Sequence, residues 1–165
     1  MNSIFKTTKR LVAGAVMATA LFSGAAATAE VERDVSKYNM VEGENLGKYD
    51  PVSYFPEGGA SPLVGELANR LDYMGVTYYF ATTNNRDLFL QNPSKYEPTY
   101  GQWCAWAMAS GSYIKINPLV YTLNENRLHF FINARAKRNF DADLVTNEGK
   151  ADLHWKELSG EDPRN

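Results

Sequence analysis

The sequence predicts a small α+β domain, with two antiparallel hairpins or one small sheet packed by short helices and preceded by an extended N-terminal arm. Three observations carry this. Leu71 to Ala81 reads as one hairpin, because Asp72-Tyr73 and Val76-Thr77-Tyr78-Tyr79-Phe80 are rich in β-formers on either side of a turn near Met74-Gly75. Val120 to Ile132 reads as a second, turning at Asn124-Glu125-Asn126. Helix signals fill the remaining space. Thr83 is placed to cap a helix that carries Leu88 and Phe89 inward and stops at Asn92-Pro93. Asn133 caps another running towards Phe140, and Ala151, Trp155 and Leu158 share a stripe of a last one over Ala151 to Leu158. In the second hairpin Leu128, Phe130 and Ile132 alternate with His129 and Phe131. Aromatic character on both faces predicts that something covers each.

The chain has 165 residues, enough for one domain, with 44% hydrophobic and 22% charged residues. Aromatic residues make up 13%, so ring burial can build a stable core without disulfides, which a single cysteine rules out within the chain. Lys6, Lys9 and Arg10 precede an apolar run from Leu11 to Phe22, and Ala27-Thr28-Ala29 has the small-x-small form of a cleavage site. Residues 1–29 therefore read as a cleaved signal peptide of the bacterial general secretion type. The expected compartment is the periplasm or the exterior, with no membrane span after cleavage. Cleavage removes three positive charges and no acid, taking the net charge from −2 to about −5. An acidic chain without a basic cluster is a poor nucleic-acid binder. Residues 30–46 read as the arm, 47–158 as the domain and 159–165 as a flexible tail.

Within the domain, Asp50 before Pro51 is placed to bond backbone amides and set a turn. Val52, Tyr54 and Phe55 follow as a short strand or buried anchor, and Pro56 to Pro62 as a loop. The stretch KYEPTYGQWCAWAMASG, Lys95 to Gly111, concentrates rings around the lone cysteine, Cys104. It reads as a turn followed by a short helix or irregular segment across Trp103 to Ala109.

This order of motifs resembles the YHS-domain family in its secreted bacterial branch. The matching pieces are the YDPVSYF run at 49–55, Gly75 with Tyr79-Phe80, Asn85, Phe89, Pro93, Tyr96, Pro98, Tyr100-Gly101, Cys104-Ala105, Ala151-Asp152 and Trp155. Together they span roughly 47–158. The resemblance implies a small α+β module, some of whose relatives bind copper or zinc through cysteines. Those cysteine places hold Ser53, Ala81 and the Asn84-Asn85 region here, so the family's metal site does not carry over. Two further positions depart from the branch. Gln102 stands where a second glycine often follows Tyr-Gly, and Lys48 where a glycine is usual before the YDPV run.

Cys104 admits three readings: a packed hydrophobe, a metal or cofactor ligand, and a reactive thiol. Its neutral ring neighbours and an oxidising compartment favour packing. A soft metal site for copper or zinc can be written from Cys104, His129 and His154, with Met108 as a further donor, although no short ligand spacing supports it. Tyr54, Tyr100, Trp103 and Trp106, with Tyr79 and Tyr96, are candidates for an aromatic ligand cleft, the alternative being a plain aromatic core. Asp50 and Asp152 are the carboxylates of interest, Asp50 also as a ligand contact. Neither a phosphate-binding glycine loop nor a hydrolase or zinc-protease motif occurs. The expectation is an exported, non-catalytic YHS-like module that binds a metal ion or small ligand near Cys104. The alternatives are a structural or protein-interaction module without ligand and a thiol-dependent enzyme using Cys104.

Overall fold

Two hairpins frame the domain. In the computed structural model, which describes residues 33–40, 43 and 45–164, β1 (Glu66–Tyr73) pairs antiparallel with β2 (Val76–Phe80). Residues 1–29, expected to be a signal peptide, and residues 30–32, 41, 42 and 44 of the expected arm lie outside the described residues. Tyr73 faces Val76 across Met74-Gly75, whose φ angles of 46° and 80° are both left-handed. A two-residue turn of that hand matches strand twist, and glycine adopts it without strain, which is why this hairpin sits at the expected turn. The second pair is β3 (Asn117–Asn124) with β4 (Arg127–Phe131), turning at Glu125-Asn126. The architecture is thus α+β, with two small antiparallel sheets and several short helices.

β4 runs between two cores. Leu128 and Phe130 belong to one, with Val52, Tyr54, Phe55, Tyr78, Phe80 and Phe89; Phe131 belongs to the other, with Tyr100, Cys104, Met108, Phe140 and Trp155. Both faces of β4 are covered, as its alternating aromatic pattern predicts. Rings meet edge to face in the first core, Tyr54 with Phe130 at 5.1 Å and Phe55 with Tyr96 at 5.0 Å. That geometry sets a positive ring edge against a negative face.

The helices follow their caps, with corrections. α1 (Thr83–Gln91) is capped by Thr82, not Thr83: the Thr82 hydroxyl accepts the Asn85 N–H at 3.1 Å. α2 (Pro93–Tyr96) was not expected; Pro93 opens it where a missing N–H costs nothing. Of the two readings for Val52, Tyr54 and Phe55, strand or buried anchor, the second holds: residues 51–54 form a buried 3₁₀ turn. α3 (Ala105–Met108) lies in the central stretch, and α4 (Ala134–Asp141) is capped by Asn133 as expected. α5 (Leu144–Ser159) starts a full turn and more before Ala151.

Residues 159–164, read from the sequence as part of a tail, make contacts to the body. Glu161 is buried, the Arg164 guanidinium lies 2.9 Å from Glu97, and the Arg164 carbonyl accepts from Arg127 Nε. This anchoring uses charges rather than an apolar stripe, so periodicity gave no sign of it. No helix among the described residues is long and apolar enough to cross a membrane.

Candidate functional site

The central stretch turns on three consecutive left-handed residues, Tyr100, Gly101 and Gln102, with φ of 55°, 55° and 69°. Glycine is required at the middle one, since a Cβ on Gly101 would lie 2.6 Å from the buried Trp155 ring. Gln102 has no such freedom, and a side-chain-bearing residue in this region costs roughly 1–2 kcal/mol. Opposite it, Leu46, Gly47 and Lys48 repeat the left-handed run at 49°, 57° and 74°. Lys48 and Gln102 thus both hold positive φ without being glycine.

Gln102 ties the two runs together. Its Oε1 accepts the Leu46 N–H at 2.5 Å, and its backbone carbonyl accepts Asn39 Nδ2 at 2.9 Å. Because a backbone donor needs an acceptor, the first bond orients the side-chain amide. The amide nitrogen Nε2 is then enclosed with no acceptor, in a residue 2% exposed. Such an orphan donor costs about 1–3 kcal/mol. Gln102 lines a cleft of about 170 Å³, together with Asn39, Leu46, Gly47, Tyr49, Lys115, Ile116 and Pro118. Ile116 packs against both cores, so the cleft opens where their edges meet.

The residues singled out in the sequence do not form a common cleft. Cys104 is 1% exposed; its N–H donates to the Ile114 carbonyl at 3.0 Å, and its backbone bridges to Phe130. Tyr100 is buried in the second core and donates its hydroxyl to Asp152 at 2.9 Å. Trp103 donates Nε1 to the Lys37 carbonyl, and Trp106 packs half-buried against the second core. Tyr54, by contrast, belongs to the first core, its hydroxyl on the Pro118 carbonyl at 3.0 Å. Rings adjacent in sequence are thus shared between two cores by β4. Asp50 is fully buried, with its oxygens taken by the amides of Val52, Ser53 and Ala81 and by Asn85 Nδ2. It sets the turn and offers a ligand no open contact.

Cys104, His129 and His154 are not brought together either. His129 is wholly buried, with Nε2 2.6 Å from Glu148 and Nδ1 2.9 Å from the Thr99 hydroxyl. His154 places Nδ1 2.9 Å from the Met108 carbonyl. Among the described residues no group of three or more His, Cys, Asp and Glu side chains is disposed to hold a metal ion. Among the described residues no hydrogen bond joins Cys104 to either imidazole.

Two buried ionic networks escaped sequence reading, because their members lie far apart along the chain. In one, Glu148 accepts from Asn124 and meets His129, while Arg127 bonds Asp152 at 2.6 Å and stacks over Tyr100. In the other, Glu97 gathers Arg33, Arg164 and Tyr78.

Burial holds the His129 imidazole below its usual 6.5, against the opposing pull of Glu148. Burial also pushes the Glu148 carboxyl up, but its bonds from His129 and Asn124 outweigh that and hold it below 4.5. Both shifts mean that the unfolded chain binds more protons, so both withdraw stability as pH falls. His129 acts first, from pH 6.5 downward, and Glu148 only below the carboxylate range. Urea unfolding from neutral pH to about pH 5 is therefore expected to show wild type losing more stability than His129→Gln. Parallel curves would refute this.

Compared with known proteins, the chain matches no family model, no curated protein and no solved structure. The signal for Gln102 was present in the sequence as its departure from the Tyr-Gly-Gly pattern. What it bonds was not.

Proposed function

We propose that this chain is an exported, non-catalytic binding module, akin to YHS domains, that holds a small organic ligand in the cleft beside the Gln102–Cys104 segment. The observation that carries this reading is Gln102: a left-handed residue that lines a cleft and keeps an enclosed amide donor without an acceptor. Strain and unmet polarity kept together in one residue are characteristic of binding sites rather than of packing. The cleft is smaller than a drug-sized pocket and has room for roughly five or six waters at ~30 Å³ each. A single ring or a short chain with one polar head suits it. Export rests on the pattern of residues 6–29, and kinship with YHS domains on the ordered motifs from Tyr49 to Trp155. Fold likeness does not determine function, so the cleft supplies the ligand argument.

The test uses protein recovered from the periplasm after expression of the full chain. Its mass should lack residues 1–29. Melting is then followed with benzoate, benzamide, butyrate and butanol in turn. At least one should raise the melting temperature, and Ile116→Trp, which fills the cleft, should cancel the rise. No shift with any of the four, or a shift that survives Ile116→Trp, would overturn the reading.

A further inference from the structure

We infer that the cleft selects a small organic anion, a carboxylate carried on an apolar body. The inference rests on the cleft reading above and adds the class of ligand. It follows from the charges that line the cleft. Among the described lining residues Lys115 is the one full charge, and none is a carboxylate. Lys115 is exposed and forms no ion pair among the described residues. Gln102 is a second polar residue of the lining, and its own Nε2 is enclosed without an acceptor.

The rest of the lining is apolar. Leu46 is buried, and Ile116 and Pro118 are half-buried. A ligand that matches this lining carries one concentrated negative group and buries a hydrocarbon part. A carboxylate meets both demands. Bonds with an ionised acceptor are roughly twice as strong as neutral ones, which separates it from the isosteric amide. Inorganic phosphate supplies charge but nothing for the apolar wall, and one cation is a thin set of donors for it.

The site lies on a chain whose net charge is −2. Long-range attraction therefore does not draw anions to the protein, and any preference for them is local to the cleft. The effect should weaken with salt, since Lys115 is exposed.

The experiment follows the backbone amide resonances of Leu46, Gly47, Gln102 and Ile116 in the exported protein during titration with benzoate, benzamide and inorganic phosphate. Benzoate is expected to bind at least about tenfold tighter than benzamide, a factor set by one charge-assisted contact. Lys115→Gln should bring the two to parity by weakening benzoate alone. Cleft amides that shift equally for benzamide and benzoate would overturn the anion inference and leave the cleft reading standing. Phosphate binding as tightly as benzoate would also overturn it, by removing the apolar body. If no probe moves the cleft amides up to its solubility limit, both fall. Ile116→Trp separates cleft binding from binding elsewhere, because shifts that persist in that variant do not belong to the site.

Discussion

Glu97→Ala is expected to cost about 3–5 kcal/mol of folding stability, the range for removing one partner of a buried ion pair. Glu97 is 4% exposed and sits just past the end of α2. Its two oxygens accept from Arg33 at 2.7 and 2.8 Å and from the Tyr78 hydroxyl at 2.5 Å, and pair with the Arg164 guanidinium at 2.9 Å. Alanine leaves the Arg33 guanidinium and the Tyr78 phenol facing a hole without an acceptor, while Arg164 keeps only Glu161 and the Tyr38 hydroxyl. The cost comes mainly from those stranded donors, not from the lost attraction itself. Because Arg33 and Arg164 stand near opposite ends of the described chain, the variant also removes one tie of each end to the body. Arg33 further stacks over Tyr38, next to the cleft residue Asn39. Urea unfolding checks the prediction. Glu97→Gln keeps one acceptor oxygen and should lose clearly less. A loss below about 1 kcal/mol in Glu97→Ala would place the pair in the class of weak surface bridges and refute this account.

Asp50→Ala is expected to fall in the same range, about 3–5 kcal/mol, by a different route. Asp50 Oδ1 accepts the N–H of Val52 at 2.8 Å and of Ser53 at 3.3 Å, and Oδ2 accepts the Ala81 N–H at 2.9 Å and Asn85 Nδ2 at 2.7 Å. One side chain thus closes the 3₁₀ turn at 51–54 and fastens it to the end of β2 and the start of α1. Burial pushes the carboxyl up, and its four hydrogen bonds offset part of that rise. An acid raised in the folded state contributes stability below its unfolded value of 3.8 and loses it as pH rises through the folded value. The gap between wild type and Asp50→Ala should therefore narrow from acid towards neutral pH, opposite in sign to the His129 effect. Unfolding midpoints for both proteins across that range decide it. A gap that widens with pH would show that the hydrogen bonds outweigh burial.

Both residues show how much the sequence carried. Asp50 was legible as a turn-setter because Asp-Pro is a local signal, read over a few neighbouring residues. That it also holds Ala81 and Asn85, some thirty residues on, was not. Glu97 gave no local sign, since its partners lie at positions 33, 78 and 164.

The candidate site divides in the same way. The ring-rich stretch from Lys95 to Gly111 did mark the neighbourhood of the cleft, and Gln102 lies within it. For the rings the sequence left a ligand cleft and a plain aromatic core both open; the structure packs Tyr96 in one core and Tyr100, Trp103 and Trp106 in or against the other. Cys104 and the two histidines made a plausible ligand set only while their other partners were unknown. Glu148, Thr99 and the Met108 carbonyl already engage the histidine rings.

What the sequence by itself determined is the set of hairpins and capped helices. A left-handed Met74-Gly75 turn, an Asn133 cap and alternating side chains on β4 act over two to four residues. Tertiary structure alone decided where polar groups end up. The Leu46 N–H captures one end of the Gln102 amide and strands the other. Arg33 and Arg164 converge on Glu97, and His129 is sealed against Glu148. Backbone propensity is a short-range property written in neighbouring residues, whereas the pairing of a buried polar atom depends on which distant segment folding delivers to it.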